Sequence, residues 1–265
     1  MTKLPISVCM ISGAEARRIS RALDSVAGWT SEVIVVLNEE VTDATEEIAR
    51  SRGAQVFREP WKGHVAQKNS AAQKAGQPWI LGLDTDEAVS PELREEIQRA
   101  FAAGVEDGTA AFSVPRVTQY YGRWIRHGEW YPDRGARLWR RGQAAWGGVD
   151  PHDKLEVRGG VRKLRGDLLH YSMEGIDGQL RKIIRYADDF ARGCKAGGRR
   201  VGFVDLAIRP PWRFVRGYVL KLGFLDGWQG FSIAWMTAFY TFFRYFKALE
   251  SQAEAGAPGH PGRRE

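Results

Sequence analysis

Apolar runs of strand length alternate with helix-like segments over the first hundred residues. Strands are predicted where short runs are apolar or rich in β-branched side chains, at residues 5–11, 32–37, 54–57 and 79–83. Helices are predicted between these runs, at residues 14–26, 42–51 and 65–75, and a further helix is predicted to begin at Pro91. This alternation predicts an α/β fold in which helices flank a doubly wound, mostly parallel sheet.

The pattern changes after residue 104. The next seventy residues contain short apolar runs separated by long loops rich in Trp and Tyr, a setting in which binding pockets are commonly built. Strands are predicted there at residues 110–117, 137–139 and 154–157. Beyond residue 176 the apolar spacing is helical, and helices are predicted at residues 179–194, 212–222 and 231–249.

These patterns divide the chain into three parts. Residues 1–175 form the predicted α/β domain, and residues 176–250 form a helical extension. Residues 251–265 are rich in Gly, Pro and Ala and are predicted to be a disordered tail.

Charge adds a second asymmetry to this division. The net charge is +7, and residues 179–250 contain 13 Lys or Arg against 5 Asp or Glu. The positive surplus therefore lies in the C-terminal third, where it suits nucleic acid, anionic lipid or an anionic substrate equally well. With 43% hydrophobic and 27% charged residues the composition is otherwise that of an ordinary globular protein.

The cysteines and the N-terminus indicate the compartment. Cys9 and Cys194 lie far apart and show no metal-type spacing, so neither a disulfide scaffold nor a zinc site is expected. Residues 1–5 lead directly into the first strand, without the apolar segment and cleavage site of a secretory signal. We therefore expect a reducing, cytoplasmic location.

An acidic motif follows the fourth predicted strand. Asp84 and Asp86 are separated by Thr85, directly after the apolar run 79–83. Ligands of open α/β sheets bind at the carboxyl ends of the strands, and paired carboxylates are suitable ligands for Mg²⁺ or Mn²⁺. Such a metal would neutralise a diphosphate leaving group. The alternative is a solvated acidic loop at the start of the next helix, and spacing alone does not decide between them.

Two polar residues precede this strand on the third predicted helix. Lys68 can meet a phosphate, and Asn69 can bridge to a ribose or to the acidic loop. The alternative for Lys68 is an exposed helical lysine with no ligand.

Two further segments contain candidate site residues. A neutral imidazole at His152 can complete a metal shell begun by carboxylates, and Asp153 can act as a general base on a hydroxyl group. The segment 130–134 places aromatic rings beside Asp133 and Arg134, which suits stacking on a sugar and hydrogen bonding to its hydroxyls or to phosphate. The alternatives are an ordinary loop histidine and a structural aromatic loop.

In order and spacing, these segments resemble the inverting family 2 glycosyltransferases of the GT-A fold, and most of all the branch that builds the bacterial lipopolysaccharide core. The resemblance covers roughly residues 5–160 and continues more loosely to GFLDG at 223–227. It depends on ISVCMI at 6–11, EVIVV at 32–36, TDAT at 42–45, QKN at 67–69, LDTDE at 83–87 and WYPD at 130–133.

The resemblance implies a Rossmann-like nucleotide-binding sheet and a nucleotide-sugar donor, with a UDP-sugar favoured. Glu15 corresponds to a position that helps bind the nucleotide base, although this chain has Ala14 where the family often has Asn. Asp84 then contacts the nucleotide, and Asp86 holds a divalent Mg or Mn ion. His152 adds a metal or diphosphate contact.

The resemblance also implies how the reaction proceeds. In inverting enzymes a carboxylate deprotonates the acceptor hydroxyl as it attacks the anomeric carbon from the face opposite the diphosphate. Asp153 is the favoured base and Asp133 the second candidate, with Lys68, Asn69 and Arg134 on the donor side. The implied acceptor is a lipopolysaccharide core or another lipid-linked glycan.

The C-terminal third indicates where such an acceptor is met. Residues 231–243 are strongly apolar and aromatic, but the run is shorter than the roughly 20 residues that a membrane span requires. Basic residues flank it, which favours peripheral contact with an anionic membrane, at the inner face of the bacterial cytoplasmic membrane. The alternative is a helix that packs these aromatics on the catalytic domain.

Three other function classes are less favoured. A sugar nucleotidyltransferase would have a Gly- and Arg-rich phosphate loop after the first strand, and residues 12–18 match one poorly. A nicotinamide oxidoreductase would have G-x-G-x-x-G there, which is absent. A basic nucleic-acid-binding module would explain the charge but not the acidic strand end, so nucleic acid is not an expected partner.

Overall fold

The computed structural model describes residues 3–149, 152–171 and 175–256. The chain divides into two compact units. The sheet unit comprises the chain up to Gln119 together with Pro132–Tyr171, and the helical unit comprises Tyr120–Tyr131 and the chain after Tyr171. The second boundary lies close to the predicted one at residue 175, whereas the grouping of residues 120–131 with the C-terminal helices was not predicted.

The strands of the described chain are β1 Leu4–Ser12, β2 Thr30–Asn38, β3 Gln55–Glu59, β4 Trp79–Gly82, β5 Glu87–Val89, β6 Thr109–Tyr120, β7 Arg123–Ile125, β8 Asp133–Arg140, β9 Ala144–Val149, β10 His152–Val157, β11 Gly160–Lys163 and β12 Leu168–Tyr171. The α-helices are α1 Ile19–Val26, α2 Thr45–Ser51, α3 His64–Gln73, α4 Pro91–Ala102, α5 Ile176–Ala196, α6 Phe203–Val215 and α7 Gly227–Gly256. A π-helical turn, Arg216–Leu220, and a 3₁₀ turn, Gly223–Asp226, connect α6 to α7.

The main sheet has the strand order β3-β2-β1-β4-β8-β6-β12-β5, with β11 also beside β6. Strands β1 to β4 are parallel, β8 enters antiparallel between β4 and β6, and β12 runs parallel to β6. Strands β9 and β10 form a separate antiparallel hairpin. The predicted mostly parallel α/β sheet is confirmed.

Both faces of the sheet are buried, which explains why its strands read as continuous apolar runs. On β1, Ile6, Val8 and Met10 pack in the cluster that includes the apolar faces of α1 and α4. Cys9 points to the opposite face, into the cluster that contains Ala71 of α3. Successive strand residues alternate between faces, so a single strand supplies both clusters.

Three predicted boundaries were wrong. Helix α1 begins at Ile19 rather than at residue 14, and the backbone amides of Glu15 and Ala16 donate to the side chains of Thr45 and Asp43. Helix α6 begins at Phe203 rather than at residue 212, since it continues through Pro210 and Pro211, where sequence rules predict a break. Helix α7 extends to Gly256, into the segment predicted to be disordered, and residues 257–265 lie outside the described chain.

The helical unit is held together by aromatic and charged contacts. Helices α5, α6 and α7 surround a small core around Tyr245. Asp226, which is 2% exposed, accepts hydrogen bonds from the backbone amides of Arg126 and His127 at 3.0 and 2.8 Å. This carboxylate explains why residues 120–131 belong to the helical unit. None of the helices in the described chain combines the length and apolar character that crossing a bilayer requires.

Candidate active site

The acidic motif lies at the carboxyl end of β4, as predicted. Buried Leu83 leads from Gly82 into Asp84, and the backbone amide of Leu83 donates to the carbonyl of Cys9 on β1 at 3.2 Å. Gly82 is required by close packing, because a Cβ atom there would lie 2.9 Å from the ring of Trp146. The motif is thus fixed between the central parallel strands and the β9–β10 hairpin.

Lys68 brings two predicted site residues together. Its Nζ atom lies 2.9 Å from Asp84 Oδ1 and 2.9 Å from Asp153 Oδ2. The lysine is 9% exposed, and its ammonium group also lies over the Trp146 ring, 4.6 Å from the centroid. Lys68 and Asp153, which are 85 positions apart in the chain, therefore meet in a partly buried contact. The alternative of an exposed lysine is wrong.

Two arginines extend this contact into a chain of alternating charges. Strand β8 pairs with β4, which carries Arg137 to the end of β4, where its guanidinium lies 3.6 Å from Asp84 and 2.9 Å from Glu87. Arg116 of β6 lies 3.6 Å from Glu87 and donates through Nε to Asp133 at 3.0 Å. The alternating charges run from Asp153 through Lys68, Asp84, Arg137, Glu87 and Arg116 to Asp133. Asp153 and Asp133 are the two carboxylates predicted as candidate bases.

The network sets the ionisation of its members. Burial alone would raise the pKa of Asp84, but the positive charges of Lys68 and Arg137 hold that pKa well below its ordinary value. Burial alone would lower the pKa of Lys68, but the Asp84 and Asp153 carboxylates together outweigh it and raise that pKa. For Glu87 burial prevails and raises the pKa, although Arg137 opposes it. Asp84 and Lys68 are therefore a charged pair at neutral pH.

Replacing Lys68 with Met is expected to lower the free energy of unfolding by about 3 kcal/mol at pH 7, because it leaves two partly buried carboxylates without their shared cation. The loss should shrink as the pH falls, since Asp84, no longer held ionised by Lys68, becomes neutral on protonation. Chemical denaturation at pH 7 and at lower pH measures both effects.

The matched control is Lys62→Met, which removes an exposed lysine that pairs with Glu59 at 2.8 Å. We expect that variant to change the free energy of unfolding by less than about 0.5 kcal/mol. Equal losses of unfolding free energy in the two variants, or a loss in Lys68→Met that does not depend on pH, would show that Lys68 is not the shared counter-ion.

Asp86 faces a different partner. Its Oδ2 atom lies 3.3 Å from Nε2 of His170, and Nδ1 of His170 shares a 3.0 Å hydrogen bond with Oγ1 of Thr118. The amide of Tyr171 donates to the carbonyl of Asp86 at 2.8 Å, which fixes the two backbones together. Burial raises the pKa of Asp86, but His170 outweighs it and the pKa is lowered.

This pair has the chemistry of a partial metal site. The carboxylate suits Mg²⁺ or Mn²⁺, and an imidazole whose second nitrogen is held by a hydroxyl group is oriented as metal-binding histidines commonly are. Among the residues described, no three His, Cys, Asp or Glu side chains converge as metal ligands. An ion at Asp86 and His170 would therefore need oxygen atoms from a bound diphosphate or water to complete its shell.

The assignment of His152 to the metal stays a prediction. Its backbone belongs to β10, opposite Val149, but its side chain and residues 150–151 lie outside the described part of the chain. The next residue, Asp153, is described, and its carboxylate lies in the Lys68 contact.

The remaining residues that were predicted to bind the sugar donor form hydrogen bonds within the protein. Glu15 receives two hydrogen bonds from Arg18, at 2.6 and 2.8 Å, beyond the end of β1. The Asn69 amide group donates to the Trp146 carbonyl at 2.8 Å and accepts from its amide at 2.9 Å, which anchors the β9–β10 hairpin to α3. Arg134 donates to two backbone carbonyls, at 3.0 and 2.8 Å. Their contacts with a donor remain predictions.

The aromatic loop before Asp133 is divided between the units. Trp130 lies in the helical unit, where its ring packs edge-on against Tyr120 with centroids 5.3 Å apart. Asp133, by contrast, belongs to the sheet unit and is 54% exposed. The alternative of a structural aromatic loop therefore fits Trp130.

A cavity of about 820 Å³ opens beside the charge network, within the sheet unit. This volume lies in the range of small-molecule binding sites. Its charged lining comprises Lys68, Asp84, Arg116, Asp133, Arg134, Arg137, Asp153, Lys154 and Glu156. The mixture of cations and carboxylates suits a ligand that has both phosphates and hydroxyls.

Three members of the site had no assigned role in the sequence analysis. His170 is the third residue of the short strand β12, where the two leucines before it are the local signal. Glu87 belongs to the LDTDE segment at 83–87, and Arg137 begins the strand predicted at residues 137–139. Their pairing depends on β8 lying between β4 and β6, which no local pattern reveals.

The chain is similar to known proteins along most of its length. Residues 7–162, more than half of the chain, match Glycosyl transferase family 2. An uncharacterized glycosyltransferase of Rickettsia prowazekii is 31% identical over 260 residues, which cover 93% of this chain and 89% of that protein. The lipopolysaccharide core biosynthesis glycosyltransferase LpsC of Rhizobium meliloti is 28% identical over 97% of this chain and 96% of its own.

A solved structure of Staphylococcus aureus TarS 1–349 in complex with UDP-GlcNAc aligns with 96% of this chain and 92% of its own, at 13% identity and a TM-score of 0.47. The family match and the observed mostly parallel sheet confirm the GT-A type of fold. The chain belongs to family 2 of the glycosyltransferases and is a glycosyltransferase enzyme.

Proposed function

We propose that this protein is an inverting glycosyltransferase that moves a hexosyl or heptosyl group from a nucleotide-sugar, with UDP favoured, to a hydroxyl of a lipopolysaccharide core or other lipid-linked glycan. One observation carries the proposal. Lys68 holds Asp153 beside Asp84 at the carboxyl end of β4, next to an 820 Å³ cavity. A donor-side carboxylate and a candidate base thus share one site.

The donor end of the site is the part around Asp84, Asp86 and His170. We assign Asp84 to the nucleotide, and we assign a Mg or Mn ion to Asp86 and His170 together, with His152 as a further candidate. Such an ion supplies charge that neutralises the diphosphate as it leaves. Lys68 and Arg137 add fixed positive charge beside the same position.

The acceptor end is the part around Asp153. This carboxylate is 15% exposed and lines the cavity, so it is placed to take the proton from an acceptor hydroxyl. Asp133 lines the same cavity but is far more exposed and is held by Arg116. These differences support Asp153 as the base and Asp133 as the second candidate.

Two facts support a lipid-linked acceptor. The Rhizobium relative is named for lipopolysaccharide core biosynthesis. The C-terminal third of this chain contains the positive surplus, which favours acceptors and membranes that bear negative charge. We therefore place the enzyme as a peripheral protein on the inner face of the bacterial cytoplasmic membrane.

A thermal-shift series with UDP tests the donor and metal assignments. UDP at a concentration 100 times its dissociation constant, with Mn²⁺, is expected to raise the unfolding temperature by about 5 °C. His170→Gln is expected to weaken binding of UDP with Mn²⁺ by at least about tenfold, and to leave binding of UDP alone within about twofold. Titration calorimetry with and without Mn²⁺ measures both.

His127→Gln is the matched control, because it removes a histidine that also pairs with an aspartate, 3.1 Å from Asp226 in the helical unit. We expect UDP binding with Mn²⁺ to be unchanged in it. His152→Gln then tests the sequence-based ligand. If UDP, GDP and ADP all fail to stabilise the wild-type protein with Mn²⁺, the proposed function is wrong. Stabilisation by duplex DNA that weakens with salt would favour the nucleic-acid alternative.

A further inference from the structure

Helix α7 exposes six of its aromatic side chains and buries mostly small residues, with Ile233 and Tyr245 as the large buried exceptions. The exposed aromatic residues recur every three or four positions, so they form one stripe along the helix. Their side chains are 40–60% exposed, and they are Trp228, Phe231, Trp235, Phe239, Phe242 and Phe246. From the first to the last, this stripe is roughly 27 Å long at 1.5 Å per residue.

The buried stripe of the same helix is built mostly from small residues. Ala234, Ala238 and Ala248 are each no more than 8% exposed, and Thr241 is 2% exposed. Burial of apolar area favours the opposite arrangement, with aromatic rings inside and alanines outside. The core of the helical unit therefore does not explain the aromatic stripe, and an exposed apolar patch of this extent indicates a surface that binds a partner.

Helix α6 adds a second exposed apolar stripe. Val204, Ile208, Trp212 and Val215 recur at helical spacing and are 41–65% exposed. Phe214, next to this stripe, contacts Phe231 and Trp235 of α7, with ring centroids 5.8 and 6.0 Å apart. We name the two stripes together the aromatic surface.

Basic residues lie beside the aromatic surface. Arg213, Arg216 and Lys221 surround the single carboxylate of Glu129, at 3.1, 3.4 and 3.6 Å. Each of the three side chains is 32–40% exposed. Three cations and one carboxylate leave a formal surplus of two positive charges in this cluster, which suits anionic headgroups.

We propose that the aromatic surface docks into the interface of an anionic lipid bilayer, with α7 lying along the membrane plane. Between residues 228 and 246 there is one charged residue, Arg244, so an apolar helix face is combined with a basic flank. Tryptophan beside Lys and Arg is typical of helices that lie in the headgroup region. A second copy of this chain fits less well, because its own basic clusters would be brought together.

This inference rests on the proposed function only in that a lipid-linked acceptor explains why the enzyme would dock. The test uses the full chain and vesicles of phosphatidylglycerol and phosphatidylcholine. Wild-type protein is expected to sediment with vesicles rich in phosphatidylglycerol. The triple variant Phe239→Gln, Phe242→Gln, Phe246→Gln should bind them at least about 100-fold more weakly.

Trp61→Gln is the matched control, because Trp61 is an exposed aromatic residue of the sheet unit, 49% exposed. We expect it to bind vesicles as the wild type does. Neutralising the basic cluster with Arg213→Gln, Arg216→Gln and Lys221→Gln should weaken binding to phosphatidylglycerol vesicles by about 100-fold and abolish the preference for them. Circular dichroism confirms that each variant is folded.

If the aromatic variant binds vesicles as tightly as the wild type does, the inference is overturned. The inference is also overturned if the wild type binds no vesicles and sediments without them as a dimer that becomes monomeric in the aromatic variant. Failure of the proposed function is seen separately, as vesicle binding without stabilisation by UDP and Mn²⁺. Failure of the docking inference leaves UDP stabilisation intact.

Discussion

Asp86→Asn is expected to lower the rate of sugar transfer by at least about a thousandfold while the protein remains folded. Asparagine keeps the shape of the side chain but removes the negative charge that a divalent cation requires. The pKa of Asp86 is lowered by His170, so this charge is present at neutral pH. Release of UDP from UDP-sugar with a lipopolysaccharide-core acceptor measures the rate, and thermal unfolding measures the fold.

Asp24→Asn serves as the matched control, since Asp24 is 61% exposed and pairs with Arg52 on the surface. Its activity should equal that of the wild type. In Asp86→Asn the unfolding free energy should fall by no more than about 1 kcal/mol, because the lost partner is a single, partly exposed histidine. Transfer at the full rate in this variant would mean that Asp86 does not hold the metal.

The position of Asp84 and Asp86 could be predicted because it depends on local pattern. A carboxylate that directly follows a buried strand of four residues lies at the carboxyl edge of a parallel sheet, whatever fold the rest of the chain adopts. Lys68 could be predicted for a related reason, since it lies in the helix that crosses back to that strand. The sequence thus predicts where Asp84, Asp86 and Lys68 lie in the fold.

Other contacts of the site are specified by no local pattern. Arg137 reaches Asp84 because β8 runs antiparallel between β4 and β6. His170 reaches Asp86 because β12 pairs with β5, one residue beyond the acidic motif. Each contact joins strands that are far apart in the sequence. An alternation of strands and helices predicts a parallel sheet but does not identify which late strands enter it.

The helical unit shows a second limit of sequence patterns. Apolar spacing identifies α7, but both of its stripes are apolar, so the pattern does not tell which one faces the core. In the structure the buried stripe consists mostly of alanine and threonine, together with Ile233 and Tyr245, and the stripe of six other aromatic rings is exposed. The first part of α6 was also not predicted. It leads into Pro210 and Pro211, which local rules exclude from the interior of a helix but which tertiary packing tolerates here.

The charge network also bears on the other enzyme class considered. A nucleotidyltransferase and a glycosyltransferase both need a metal and a nucleotide site. A glycosyltransferase of the inverting type needs, in addition, a carboxylate at the acceptor side. Lys68 joins Asp153, the proposed base, to Asp84, the proposed nucleotide contact. The matched family and this connection support the transferase together.

The sharpest test of that connection is the pair Asp153→Asn and Asp133→Asn. We expect Asp153→Asn to lower kcat by about 10²- to 10⁴-fold, the usual contribution of a general base. Binding of UDP with Mn²⁺ should stay within about threefold of the wild type, because Asp84, Asp86 and His170 are unchanged. The acidic limb of the pH–rate profile should disappear in this variant, since no group at that position remains to be protonated.

Asp133→Asn differs in what the carboxylate touches. Asp133 is 54% exposed and is held by Arg116, so its removal should change kcat by less than about tenfold and leave the pH profile intact. The opposite result, with the large loss and the altered profile in Asp133→Asn, would assign the base to Asp133. A large loss in kcat with an unchanged pH profile in Asp153→Asn would show that Asp153 only positions Lys68 and Asp84. The pH profile, rather than the size of the loss, therefore distinguishes a base from a structural counter-ion.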